Sequence, residues 1–454
     1  MKKTLIAIIG INAALSLLFS PTQITLPGGL FTLSDLLLVI AFMVIIILFI
    51  IDEDNRLKML PPTPLFIFII AAFLSIVSIF SVFAGGSENV SLVNLIKEFI
   101  KEFSKYVLYL LIGVAVFKTA FSEKKYRYYC TVALAIGILL ASLFAGYQRY
   151  NLNYIEHPED RTIIENKTFD AFTTIETPVA TGSTFGTWSD KGFHGGYIPY
   201  ACFLALALPF LLYLAFKKNV WWILTAPILL LSGYSILAGR VVPIIIIGIL
   251  ITAWIFSKKA GVITTAAILV YLSLLAFIPS INRVQILEEP YRISLNIIEA
   301  EAYGYGKAHL KKFFAEQYAS INILRGTEAD INTALYGVGL SRYQEYIQQG
   351  YATMGEVTNQ RLQLGEQGGY FLTLASMGIL GLACLVFVYW YYFKGALLLK
   401  KKKNDISAPV IGAIIALILL TFVSSPIMRA EGILLAALFG LIESQKQSIG
   451  EKDL

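Results

Sequence analysis

Arg240 is the residue of this chain best suited to bind a phosphate group. It follows Leu237–Gly239 and precedes the apolar run Val241–Leu250, at the boundary of a hydrophobic segment. An arginine at that depth in a membrane is costly unless it is paired or functional. Its planar guanidinium binds phosphate through parallel hydrogen bonds. We therefore interpret Arg240 as an anion ligand, with a snorkelling interfacial arginine as the alternative.

Side chains that could accept a proton are few. His194 lies within Gly192–Gly196, where an apolar segment begins. Glu366, Glu299 and Glu301 lie in another polar stretch of the chain. Each could act as a general base toward a hydroxyl group. A polar surface role is the alternative for each of them.

The sequence contains no recognisable cofactor site. A Gly-x-x-x-x-Gly-Lys-Ser/Thr loop is absent, and no His, Asp or Glu cluster has metal-ligand spacing. The Asp-x-Asp pattern at Asp52–Asp54 is better explained as a solvated helix end. We expect neither a cofactor nor a metal. An enzyme without a nucleotide site would need a donor that is activated beforehand, such as a lipid-linked pyrophosphate.

The elements that must position these residues are membrane helices. The chain has 454 residues, of which 57% are hydrophobic and 15% charged, and its mean hydropathy is +0.70. So much apolar surface predicts a polytopic membrane protein. The net charge of +6 then reflects topology and does not indicate nucleic-acid binding. Cys130, Cys202 and Cys384 lie in apolar runs and are predicted to be core residues.

Twelve apolar runs are long enough, or nearly so, to cross a bilayer. They cover 4–20, 31–51, 64–84, 104–121, 128–147, 195–216, 219–238, 241–257, 261–279, 369–393, 408–425 and 430–443. When successive connections between the spans are placed on opposite faces of the membrane, one face has 17 lysines and 2 arginines and the other has 8 lysines and 9 arginines. Since basic residues collect on the cytoplasmic side, the lysine-rich face, with both termini, is predicted to be cytoplasmic. The charge-poor span interiors argue against a transport path.

The predicted fold is an all-α polytopic membrane protein in five regions. These are helices 1–5 in 1–147, an extracytoplasmic loop in 148–194, helices 6–9 in 195–279, a large extracytoplasmic loop in 280–368, and helices 10–12 with a cytoplasmic tail in 369–454. The loop between spans nine and ten has helical texture and is expected to form a helical subdomain. The amphipathic segment Ser91–Lys105 is expected to lie in the outer membrane interface before span four. An extension of that span is the alternative.

Four segments resemble, in order, the shared domain of the O-antigen ligase and O-antigen polymerase superfamily. The resemblance covers roughly 180–390. The segments are Gly186–Tyr197, Ala238–Arg240, Leu335–Leu340 and Gly369–Gly381. The resemblance implies transfer of a glycan from an undecaprenyl-pyrophosphate carrier, without a metal, on the outer face of the bacterial inner membrane.

The resemblance also implies which residues form the site. Arg240 matches one family arginine, although glycine replaces the preceding serine, and Arg292 and Arg325 both fit the second arginine, in the large loop. The ligase branch has a histidine where this chain has Gln367, beside Glu366. Glutamine cannot serve as a base, so Glu366 takes over or the chain is a polymerase with another base.

The favoured hypothesis is a glycosyltransferase that polymerises repeat units of O-antigen or exopolysaccharide. A ligase that moves the glycan to lipid A core or another acceptor is the alternative, and a lipid-linked oligosaccharide flippase is the second alternative. The expected partners are the undecaprenyl-pyrophosphate-linked glycan, a glycan or lipid A core acceptor, membrane lipids and other polysaccharide assembly proteins.

Overall fold

The computed structural model describes most of the membrane helices and a small part of the large loop. The described residues are 1–20, 32–53, 56–77, 92–155, 197–231, 241–277, 331–340, 369–422, 425 and 429–450. Within these ranges the chain is helical, and no β-strand is assigned.

Fourteen α-helices of six or more residues are numbered here in chain order. They are α1 (Lys2–Phe19), α2 (Leu33–Ile51), α3 (Thr63–Leu74), α4 (Leu92–Tyr106), α5 (Val114–Ser122), α6 (Lys124–Ile155), α7 (Tyr197–Lys217), α8 (Trp222–Leu231), α9 (Val242–Phe256), α10 (Lys258–Phe277), α11 (Ile331–Tyr336), α12 (Gly369–Lys401), α13 (Ser407–Leu420) and α14 (Arg429–Gly450). A π-helix, Val107–Gly113, joins α4 to α5.

Five helical stretches in the described chain are long and apolar enough to cross a membrane. They are Lys2–Phe19, Leu33–Ile51, Leu95–Ser122, Lys124–Leu143 and Gly369–Lys401. Four shorter apolar helices accompany them, namely Thr63–Leu74, Ala201–Lys217, Val242–Phe256 and Ser407–Leu420. The prediction of an all-α protein with membrane-spanning helices is thus confirmed at this level, while the count of twelve spans stays a prediction.

Helix α14 lies in the centre of the bundle. Every residue from Ile433 to Ile442 is buried, and the helix contacts α5, α7 and α12. Gly440 permits the closest approach, because a Cβ there would overlap the backbone of Phe117 and Lys118. On another side, Phe439 stacks on Tyr392 with ring centroids 3.7 Å apart. A helix buried on all sides is expected to be apolar around its whole circumference, as the middle of α14 is.

Small residues hold α9 and α13 together. Gly248 and Thr252 of α9 face Gly412 and Ala416 of α13, each pair being four residues apart on its helix. The Thr252 hydroxyl donates to the Gly248 carbonyl at 2.8 Å, so its polar group is satisfied within α9. Close approach through small residues is the usual basis of helix association in membranes.

Helix α4 differs from the predicted interfacial helix. It continues through the π-helix into α5, so it extends the span. Its apolar face packs on protein, since Phe73 of α3 lies 6.4 Å from Phe99 and 5.6 Å from Phe103 between ring centroids. Leu95 and Phe99 are buried by this packing. The prediction of a separate interfacial helix was wrong because the apolar stripe has a partner in α3.

Basic side chains gather at one end of the bundle, which we call the lysine end. Three contacts tie its segments together: Lys2 to Asp52 at 2.5 Å, the Lys118 ammonium to the Leu60 carbonyl at 2.7 Å, and Lys217 to Asp405 at 2.8 Å. This end therefore includes the start of α1, the end of α2, the α12–α13 connection and the part of α5 around Lys118. We call the opposite end, where α12 and α14 begin, the glycine end.

The two predicted loops are only partly described. Helix α6 extends to Ile155, past the predicted boundary at 147. Of the large loop, 331–340 is described, and it contains α11. The helical subdomain predicted for 280–368 otherwise lies outside the described residues.

Candidate functional site at the glycine end

The segment Leu335–Leu340, within the predicted large loop, docks on a break in α12. The amide of Val338 donates to the Ala375 carbonyl at 2.8 Å, and the amide of Gly339 donates to the Ser376 carbonyl at 3.1 Å. The break is at Gly378, which has φ 66° and ψ −165° within an otherwise helical stretch. Such a break frees the carbonyls three and two residues earlier from their helical partners. The loop amides take the place of those partners.

Glycine is required on both sides of this contact. Gly337 and Gly378 have φ values of 74° and 66°, which side chains other than glycine rarely adopt. A Cβ on Gly337 would overlap the backbone at Ser376, and a Cβ on Gly378 would overlap the backbone of Leu335. Backbone therefore meets backbone directly. We call Leu335–Leu340 together with Ala375–Gly378 the glycine junction.

Most of the glycine junction is buried, although Leu335 at its edge is exposed. Val338 is 8% exposed and Leu340 is 2% exposed, and Leu340 belongs to the hydrophobic core. Gly378 is nine residues into α12, about 14 Å along the helix axis at 1.5 Å per residue. Non-helical backbone at membrane depth is tolerated only where protein surrounds it or where it lines a cavity. Val338 and Leu340 are thus packed within the helix bundle.

Hydrogen bonds also hold the start of α12 against the end of α13. The amide of Tyr370 donates to the Thr421 carbonyl at 3.2 Å, and its hydroxyl donates to the Ile418 carbonyl at 3.2 Å. The Tyr389 hydroxyl lies 3.0 Å from the Thr421 hydroxyl. Tyr370 also packs edge-on against Phe422, with ring centroids 4.7 Å apart. The first turn of α12 is therefore held in a defined position.

A buried carboxylate stands at the glycine end of the central helix. Glu431 is in the first turn of α14 and is only 5% exposed. Negative charge is favoured at a helix N-terminus, where unpaired amides and the helix dipole are positive. That location explains how the carboxylate can be held among apolar neighbours such as Ile433. Glu431 is the one described carboxylate of α14 at this end.

A second buried carboxylate, Asp35, lies in the first turn of α2. It accepts hydrogen bonds from the Thr32 amide at 3.1 Å and from the Tyr109 hydroxyl at 3.0 Å. Thr32 and Asp35 form a reciprocal capping box, which is a structural role. Tyr109 belongs to the π-helix, one turn after Lys105, which pairs with Glu102 at 2.7 Å. π-Helical turns are frequent at functional sites.

The six residues predicted to form the site lie outside the described residues. They are Arg240, Arg292, Arg325, Glu366, Gln367 and His194. Two of them adjoin described helices in sequence. Arg240 precedes Val241, which is fully buried at the start of α9, and Gln367 comes two positions before Gly369.

Four buried ionisable side chains lie near the ends of the predicted spans and leave the described span interiors almost free of such groups. Asp35, Lys118, Glu431 and Glu443 lie within helices and are each less than 10% exposed. Asp35 and Glu431 are at the glycine end, whereas Lys118 and Glu443 are at the lysine end. Glu431 and Glu443 are twelve residues apart, about 18 Å along α14 at 1.5 Å per residue. The apolar stretch Ile433–Ile442 separates them on this helix.

Sequence reasoning overlooked Asp35 and Glu431 because it concentrated on arginines. A signal was present, since each is an acidic residue directly before a long apolar run. An ionisable residue at a span boundary is by default a candidate for function. The Thr32–Asp35 spacing also marks a capping box, which gives Asp35 a structural explanation.

The described cysteines agree with the prediction of core residues. Cys130 and Cys202 are buried, Cys384 is partly buried, and all three are free thiols. Among the described residues, no three His, Cys, Asp or Glu side chains are grouped as metal ligands. Comparison with known proteins adds no identity: no protein-family model matches the chain, and no curated protein matches it.

Proposed function

We propose that this protein is a metal-independent membrane glycosyltransferase that extends a glycan carried on undecaprenyl pyrophosphate. The glycine end would face the outside of the bacterial inner membrane, and the lysine end with both termini would face the cytoplasm. The proposal draws on the lysine distribution and on the resemblance of four segments to the O-antigen ligase and polymerase superfamily.

The glycine junction is the observation that carries the proposal. Two of the four resembling segments, Leu335–Leu340 and Gly369–Gly381, are far apart in sequence but in contact in the structure. Chance similarity of glycine-containing segments would not require their backbones to meet. The contact joins two of the resembling segments within the helix bundle, so both belong to one part of the structure.

The proposed chemistry divides between arginines and a base. Arg240, with Arg292 or Arg325, would hold the pyrophosphate and stabilise the charge that develops as it leaves. An acceptor hydroxyl must lose its proton to form the new glycosidic bond. A carboxylate can accept that proton. Glu366 remains a candidate base. Glu431 joins it, because it is a buried carboxylate at the proposed outer end.

The test is extension of a lipid-linked glycan by purified protein in liposomes, without nucleotide sugar. We expect products longer than one repeat unit. Arg240→Lys keeps the positive charge but loses the bidentate fork, so we expect the rate to fall by about 10²–10³-fold, the cost of removing one charge-stabilising donor. Arg56→Lys, at the lysine end, is the matched control and should retain the rate. Full activity of Arg240→Lys would remove Arg240 from the site.

A ligase is the alternative within the same chemistry. The two activities differ in the acceptor, so a deletion strain separates them. Loss of a polymerase would leave single repeat units on the final acceptor, whereas loss of a ligase would leave long glycans on the carrier. Gln367, where the ligase branch has histidine, favours the polymerase.

A flippase is the second candidate, and the buried ionisable groups favour it. Asp35, Lys118, Glu431 and Glu443 could each contact a polar substrate in transit. The apolar middle of α14 separates the two groups along that helix, which favours a site at one end over a continuous path. Movement of the intact lipid-linked glycan in liposomes, with no change in its length, would establish the flippase.

A further inference from the structure

An apolar groove enters the bundle near the lysine end. It lies between α1, α6, α7 and α14 and has a free volume of about 70 Å³. Aliphatic and aromatic side chains form most of its wall, among them Leu134, Phe210, Leu214 and Leu438. Arg127 also lines it, but its guanidinium donates to the Phe121 carbonyl at 2.8 and 3.0 Å and so caps the C-terminal end of α5. A wall of this composition suits a hydrocarbon chain.

A basic cavity lies beside the groove at the end of α7. Its wall includes Lys217, Lys400, Lys403 and Asp405, so three lysines face one carboxylate. Lys217 pairs with that carboxylate at 2.8 Å. The other two lysines are exposed at the end of α12. The cavity therefore carries an excess of positive charge, which suits an anionic group.

Tyr213 connects the two spaces, because its side chain lines both of them. Its hydroxyl lies 3.2 Å from the Lys217 ammonium, one helical turn further along α7. Deeper residues of α7, from Leu206 to Leu214, line the apolar groove. Polarity thus changes along one helix, from apolar within the membrane to basic at its surface. Only an amphiphile with a negatively charged head matches both parts.

Lys403 shows that a lysine is kept in the cavity at a conformational cost. Its φ is 55°, and it is the one non-glycine residue with positive φ in the described chain. It ends α12 in a Schellman arrangement, with Lys403 N–H donating to the Lys400 carbonyl at 2.9 Å and Asn404 N–H to the Leu399 carbonyl at 3.0 Å. Glycine is the usual residue at this position. Strained backbone is typically retained where the side chain has a function.

We propose that the groove and the cavity together bind one anionic phospholipid from the adjacent membrane leaflet. Part of one acyl chain enters the groove, and the phosphate lies among Lys217, Lys400 and Lys403. The proposal is independent of the glycosyltransferase proposal, because the site is at the opposite end of the bundle. A lipid bound there would hold α7 against the α12–α13 connection.

The test is lipid binding by the full-length protein in zwitterionic detergent, followed by native mass spectrometry. Phosphatidylglycerol is titrated against phosphatidylcholine with the same acyl chains. We expect wild type to prefer phosphatidylglycerol. Each lysine near an anionic headgroup contributes about 1 kcal/mol, a factor of about five. The double variant Lys217→Gln/Lys403→Gly should therefore bind phosphatidylglycerol about 25-fold more weakly while its phosphatidylcholine binding is unchanged.

The unchanged phosphatidylcholine binding of the double variant serves as the control for folding, and a matched single variant is included. Lys403→Gly removes the charge but suits the positive φ, so it should not destabilise the end of α12. Lys401→Gln removes the same charge from the same lysine run outside the cavity, and its affinity should stay within about two-fold of wild type, as exposed charges contribute little. Equal phosphatidylglycerol affinity of wild type and the double variant would overturn the proposal. Displacement of the lipid by an equal concentration of inorganic phosphate would also overturn it, since the groove would then be irrelevant.

Discussion

Replacing Gly378 by alanine tests whether the glycine junction depends on the break in α12. Alanine is strained at φ 66° and ψ −165°, and its Cβ would overlap the backbone of Leu335. We expect α12 to straighten at this point. The Ala375 and Ser376 carbonyls would return to the helical ladder, and the loop amides that now bind them would lose their partners.

The expected cost follows from the backbone strain. Holding a non-glycine residue in such a conformation costs about 1–3 kcal/mol. The two hydrogen bonds of the loop amides are broken on opening in wild type and variant alike, so they do not add to the difference. At a factor of ten for every 1.4 kcal/mol, the strain corresponds to at least about 5-fold more frequent opening.

Amide hydrogen exchange measures this opening directly. The Val338 and Gly339 amides should exchange slowly in wild type and at least about 5-fold faster in Gly378→Ala, when exchange follows the opening equilibrium. Gly395→Ala is the matched control, because Gly395 is in the same helix with no positive φ. There the added methyl group meets only side-chain atoms of Ile442 and Lys446. Unchanged exchange at Val338 and Gly339 in Gly378→Ala would refute the reasoning.

Two further predictions concern buried charges. Glu431→Gln should lower the rate of glycan extension per folded molecule by about 10²–10⁴-fold if the carboxylate is the base. Glu443→Gln, on the same helix at the lysine end, is the control and should retain the wild-type rate. Equal rates for the two variants would exclude Glu431 as the base. Lys118→Met removes the hydrogen bond that the buried Lys118 ammonium donates to the Leu60 carbonyl. Because hydrogen bonds from charged groups contribute about 1.5–3 kcal/mol, the free energy of unfolding should fall by about that amount in a denaturant titration. Lys124→Met, at an exposed site, should change it by less than about 0.5 kcal/mol, and a similar loss in both variants would contradict the role of the buried contact.

Helix positions were largely predictable from hydropathy. The apolar runs 31–51 and 241–257 correspond to α2 and α9 within two residues at each end. Lipid cannot satisfy backbone hydrogen bonds, so an apolar run must form a helix to satisfy its own. The amphipathic segment before span four was misjudged for a related reason. Its periodicity shows that one face is apolar but not whether lipid or α3 covers that face.

The site was predictable only in part. Sequence order identified Leu335–Leu340 and Gly369–Gly381 as segments of interest, but their backbone contact depends on the break at Gly378. A glycine within an apolar run is compatible with a regular helix, a kink or close packing. The candidate arginines lie outside the described residues, so Arg240 remains a prediction. Glu431 emerged from the burial of its carboxylate, which hydropathy does not report.

Sequence alone determined that this chain forms apolar helices and that its lysines gather at one end of them. Both follow from local rules, namely the hydrogen-bonding demand of the backbone in lipid and the bias of basic residues toward one membrane face. Only the tertiary structure decided which helix is central, where α12 breaks, and which cavity Lys403 lines. These depend on contacts between segments distant in sequence, such as Gly337 with Gly378. The residue type of a single glycine or lysine does not indicate which residue it will contact in the folded protein.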